Sequence, residues 1–205
     1  MTENKIRYVL DTFKMCYQMN SLPDLAYGFD LPGQIKIRKT APENKFDSVI
    51  QLDTDKIIWK VWKENRIPFL FDQIDNEILT VEGTKVTINF DIMTSAFYLL
   101  SGYQELDITK RDKFNRFCYK DSIQNQLNII SLPVVNYYFD ILKTAIEIST
   151  GTTIKPRAWK DNAFATCITH DIDSCESAWI EGSFREFLKG KVFTPFKLIA
   201  QKFCK

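Results

Sequence analysis

The chain has 205 residues, 27 Lys+Arg against 26 Asp+Glu, and 45% hydrophobic residues with 16 Phe. That length and apolar content suit one large domain or two small ones and exclude a disordered chain. The near-neutral balance argues against a nucleic-acid surface, and no apolar run approaches the ~20 residues of a membrane-spanning helix.

Residues 3–19 read as a helix, because Ile6, Val9, Leu10, Phe13, Cys16 and Tyr17 recur at steps of three and four. Leu22-Pro23 closes it, since the residue before proline avoids the helical region. Ile35 and Ile37 alternate with Lys36 and Arg38 as a half-exposed strand, and Thr40 to Lys45 is a loop. The stretches 57–62 and 67–71 are rich in β-formers, the second entered through Pro68. Residues 78–81 and 86–90 read as the arms of a hairpin turning at Glu82-Gly83-Thr84.

Asp91 is placed to cap a helix from Ile92 to about Tyr103, with Ala96, Leu99 and Leu100 on its apolar face. Residues 109–128 are polar and charged and read as loop with short turns. A helix follows from Val134 to about Ser149, with Val135, Tyr138, Phe139, Leu142, Ala145 and Ile146 on one side and Gly151 as its stop. Lys155-Pro156-Arg157 reads as a linker, and Phe164 to Ile168 as a buried strand. Residues 183–205 are basic and Phe-rich, split by Pro195 into two short helical pieces. They suit either an amphipathic surface helix or the first crossover of a domain, and the irregular apolar spacing favours the crossover.

The N-terminal residues lack the apolar core and cleavage site of a signal peptide. The odd set Cys16, Cys118, Cys167, Cys175 and Cys204 then reads as reduced thiols in the cytoplasm, with Cys167 and Cys175 as buried, inert ones. No Cys-x-x-Cys and no phosphate-cradling glycine loop is present. Trp59 and Trp62 suit either a sugar-stacking pair or sheet packing.

The densest chemistry is Thr169-His170-Asp171-Ile172-Asp173, after the expected strand. Asp171 and Asp173, two apart, can converge at a strand end as a metal ligand and a general base. They equally suit a solvated Asp-rich turn. His170, the lone histidine, is a base, a ligand or a packed junction residue. One histidine falls short of the usual catalytic zinc set of three protein ligands.

The run Phe164 to Asp173 resembles the first motif of polysaccharide deacetylases of the carbohydrate esterase 4 type. With Ile67 to Phe71, Phe90 to Glu105 and Leu132 to Asp140 before it, the chain resembles deacetylase-like proteins that carry a separate N-terminal domain. The likeness covers about Ile57 to Asp173. It implies a metal-dependent hydrolase that cleaves the amide C–N bond of N-acetylated sugars on a distorted (β/α) barrel. It implies Asp171 as the catalytic base, Asp173 as the ligand of a divalent metal, most simply zinc, and His170 as a neighbour.

Two departures stand out. Ile172 separates aspartates that are adjacent in the usual motif, and His170 replaces a Phe. The family's later pair of histidines has no counterpart after His170.

The expected fold class is therefore α/β. An α+β accessory domain over 1–158 precedes the first strand and crossover helices of an incomplete, truncated deacetylase barrel over 159–205. The partner implied by the resemblance is a carbohydrate substrate, with a missing catalytic half as a second candidate and with no nucleic acid and no transmembrane segment expected. The chain alone is expected to lack activity. A non-catalytic interaction domain and one chain of a split two-chain enzyme are the alternatives.

Overall fold

The computed structural model describes residues 1–19, 21–28, 31–40, 52–159, 162, 164–169 and 184–190. The chain divides into two compact units, Met1–Ala158 and Trp159–Lys205.

The first unit opens with helix α1, Glu3–Cys16, which buries Val9 and Phe13. It stops three residues short of the expected end at residue 19. Tyr17 is extended, because it forms a β-bridge with Pro156, and a residue paired that way cannot also be helical. Strands β1 (Leu25–Tyr27), β2 (Ile35–Ile37), β5 (Leu79–Glu82) and β6 (Lys85–Ile88) form a sheet in the order β1-β2-β6-β5. The β1-β2 and β2-β6 pairs are parallel, and β5-β6 is the expected antiparallel hairpin. Gly33 lies between β1 and β2, where a Cβ would stand 2.8 Å from the Ala26 Cβ, so the close approach requires glycine. The period-two pattern sends Ile35, Ile37, Val86 and Ile88 to one buried face. Helix α5, Val134–Thr150, packs there, against both β2 and β6.

A second, two-stranded sheet pairs β3 (Ile58–Trp62) with β4 (Asn65–Phe69). Its turn is Lys63-Glu64, with φ of 46° and 71°. A two-residue hairpin turn of this kind wants positive φ at both positions and normally recruits Asn or Gly. Counting pairs outward from that turn makes Trp59–Pro68 a non-hydrogen-bonded pair, so the proline costs no ladder bond. The Pro68 carbonyl, left outside the ladder, accepts from the hydroxyl of fully buried Tyr138.

Helix α2, Ile92–Leu100, is capped as expected by Asp91, whose side chain accepts from Thr94 N at 2.9 Å. It ends before Tyr103 and gives way to the short α3, Gln104–Asp107. The 109–128 region is mostly irregular, with α4 at Ile123–Gln126. Helix α5, Val134–Thr150, ends at Gly151, which takes φ of 69° and donates its N–H to Glu147 O at 2.9 Å. It buries Tyr138, Phe139, Ile141, Leu142, Ala145 and Ile146. The aromatic centre of the core is Phe69, stacked on Phe90 at 4.0 Å and flanked by Tyr138 at 5.7 Å.

The expected linker 155–157 is clipped to the end of α1. Gln18 N donates to Lys155 O and Arg157 N to Cys16 O, both at 2.9 Å.

In the second unit, residues 164–168 were expected to be a buried strand and are not. They carry no strand assignment, and Phe164 and Ile168 are 77% and 83% exposed. A buried parallel strand needs hydrogen-bonded neighbours and cover on both faces, and no described residue pairs with this segment. Cys167 is accordingly exposed rather than buried. Residues 184–188 are helical, in keeping with the first of the two expected tail pieces; the second lies outside the described residues. The mixed helix and sheet content fits the α/β class, and no closed barrel forms among the described residues.

Candidate functional site

His170, Asp171 and Asp173 all lie outside the described residues. Among the described residues, no group of three or more His, Cys, Asp or Glu is placed to hold a metal ion. No described helix is long and apolar enough to cross a membrane.

The most concentrated polar chemistry of the first unit centres on Asp91, which is fully buried. It sits where β6 gives way to α2. Its Oδ1 accepts from Thr94 N and Tyr27 Oη, both at 2.9 Å. Its Oδ2 accepts from Thr94 Oγ1 at 2.9 Å and from Thr40 N at 3.0 Å, with Tyr27 Oη also within 3.0 Å. Asp91 N in turn donates to Oδ2 of Asp72, 2% exposed, at 2.9 Å. The Asp91 carboxylate thus joins β1, the residues after β2 and the start of α2, while its backbone N–H ties in Asp72, after β4.

Burial, then the Asp91 carboxylate, pushes the Tyr27 phenol far above its ordinary value, partly opposed by Thr94. Tyr27 therefore stays a neutral donor at any physiological pH. With both oxygens of Asp91 engaged by donors from the fold itself, this carboxylate acts as a rivet rather than as a base reaching for a substrate. Sequence reasoning found only the cap. Tyr27, Thr40 and Asp72 are spread along the chain with no shared spacing, and only the sheet order brings them together.

The second polar cluster lies on the solvent side of α5. Asp140 Oδ2 accepts from Trp62 Nε1 at 2.7 Å and from Lys63 Nζ at 2.6 Å. Burial works against the Asp140 carboxylate, but the Lys63 and Trp62 bonds and the charges of Lys63 and Lys143 outweigh it, holding the carboxyl below its usual range. Lys143 bridges on to Glu147 at 3.1 Å, and Glu147 Oε1 accepts from Ile154 N at 2.8 Å.

The two tryptophans do not make one stacking platform. Three apart on a strand, they point to opposite faces. Trp62 is fastened to α5 through Asp140, and the Arg66 guanidinium lies over the Trp59 ring at 5.1 Å.

The first unit is thus a mixed α/β module with a partly parallel four-stranded sheet, riveted through a buried aspartate. The chain belongs to a family of unknown function, DUF7033, whose profile matches residues 2–150. No curated protein and no solved structure matches the chain.

Proposed function

We propose that Met1–Ala158 is an accessory module placed ahead of a metal-dependent deacetylase-like unit that begins in the second part of the chain. In this reading the deacetylase unit acts on N-acetylated sugars in the cytoplasm. Asp171 is its general base, Asp173 a metal ligand and His170 a neighbour of the site. The observation that carries the proposal is the order of parts. The family match ends at residue 150, a compact unit closes at Ala158, and the Thr169–Asp173 motif follows in a separate unit. The engaged state of Asp91 supports an architectural role for the first unit.

Among the described residues no group of donors completes a zinc site. The resemblance implies a later pair of histidines as the remaining metal ligands, and the sequence has no histidine after His170. The reading therefore requires two histidines from outside this sequence.

Isothermal titration of the purified chain with zinc tests the assignment. Weak binding that Asp173→Asn lowers at least tenfold supports it. Binding untouched by both Asp173→Asn and Asp171→Asn contradicts it. Chelator-sensitive release of acetate from N-acetylglucosamine oligomers by the chain alone would overturn the requirement for outside histidines.

A further inference from the structure

The first unit holds an open cavity of about 830 Å³ where the C-terminal ends of α1 and α5 meet the 152–157 strap. That is within the ~300–1,000 Å³ of small-molecule clefts. Buried Ile146 and Ile154 contribute its apolar part. Its polar lining includes Tyr17, Gln18, Ser21 and Thr153, whose side chains make no hydrogen bond to any described residue. Burial first, then Asp140, Cys16 and Glu147, pushes the Tyr17 phenol up to about 12, so it remains a donor.

The charge of the lining is one-sided. Lys14 and Arg157 contribute to it and no carboxylate does. The two helix C-termini add roughly half a negative charge each, and Asp11 offsets Lys14, so Arg157 is the cation left to take an anion. Lys14 is shared with Asp11 at 3.4 Å, whereas Arg157 has no ion pair with any described residue. The backbone of Arg157 is pinned by its bond to Cys16 O, which places its side chain at the cavity wall.

We propose that this cavity binds an acidic saccharide, with Arg157 taking the carboxylate and Tyr17, Gln18, Ser21 and Thr153 meeting the sugar hydroxyls. A planar guanidinium suits a carboxylate in a two-point contact, and hydroxyl and amide side chains both donate to and accept from sugar hydroxyls. The site stands on the geometry of the first unit alone. It goes beyond the deacetylase reading and survives or fails separately from it.

The test is isothermal titration of the full chain with trigalacturonic acid, cellotriose and inorganic phosphate. Saturable binding of trigalacturonic acid is expected, with cellotriose and phosphate each at least tenfold weaker. Arg157→Ala is expected to lower trigalacturonic acid affinity about tenfold or more, from the loss of a charge-assisted contact. Ser21→Trp, which projects a bulky ring into the cavity from its wall, is expected to abolish binding without changing the melting temperature. Equal affinity for cellotriose would overturn the role of Arg157, and equal affinity for phosphate would overturn the saccharide. Absence of saturable binding, or binding unchanged in Ser21→Trp, would overturn the site.

Discussion

Asp91 and Asp140 each tie a helix to strands, by different physical means. Asp91 is fully buried and is satisfied by hydroxyls and backbone amides from β1, the residues after β2 and the start of α2. Asp140 is partly exposed and is satisfied by an indole N–H and a lysine from the β3-β4 hairpin. In the first case the donors have nowhere else to go if the carboxylate is removed. In the second, water replaces the lost partner. The comparison predicts large, cooperative effects at the buried rivet and small, pH-dependent ones at the surface clasp.

The largest effect should come from Asp91→Ala. It strands the Thr40 and Thr94 amides and the Tyr27 hydroxyl in the interior, a loss of about 3 kcal/mol or more. Urea denaturation followed by tryptophan fluorescence measures it. A loss below that of an ordinary helix cap, about 1 kcal/mol, would mean that the buried donors find other partners. Tyr27→Phe sharpens the same point. It removes one donor while leaving the carboxylate its amide bonds, and should cost about 1–2 kcal/mol.

Asp140→Asn should cost about 1 kcal/mol or less at neutral pH, because the ion pair is partly open to water. Its pH dependence has a definite sign. The folded-state pKa of Asp140 is lowered, so its contribution is fully present above the unfolded value, about 3.9, and fades as pH falls through the folded value. Thermal melts of wild type and Asp140→Asn should therefore differ at pH 6 and converge toward pH 2.5. A gap that widens at low pH would contradict the clasp.

The smallest effect is a gain. Glu64→Gly relieves a non-glycine residue held at φ of 71° and should stabilise the hairpin by about 0.5 kcal/mol.

Local patterns in the sequence carried the long helices α1, α2 and α5, the β5-β6 hairpin, the Asp91 cap and the Gly151 stop. Each is encoded within a few residues by periodicity or by a turn residue. The β3-β4 hairpin shows what such reading misses. Both strands look like strands, but Lys63-Glu64 carries no turn signature, and its positive φ values are held by pairing on either side and by the Lys63–Asp140 contact. Strand β1 was missed because three residues after a proline make no pattern. The end of α1 was overrun because its limit is set by Pro156, far along the chain. The Asp91 rivet was half legible. A cap is local, whereas Tyr27 and Asp72 reach it only through the order of strands. Phe164–Ile168 erred the other way, since an apolar run reads as buried whether or not neighbours cover it.

Among the described residues the buried core lies within Met1–Ala158, so this segment should fold on its own. The most direct measurement is the thermal unfolding of residues 1–158 alone beside the full chain, monitored by near-ultraviolet circular dichroism. A cooperative transition within a few degrees of the full chain is expected, with no shift in the full chain on Asp171→Asn with Asp173→Asn. A broad, non-cooperative melt of the isolated segment, or a large shift from the double substitution, would contradict it.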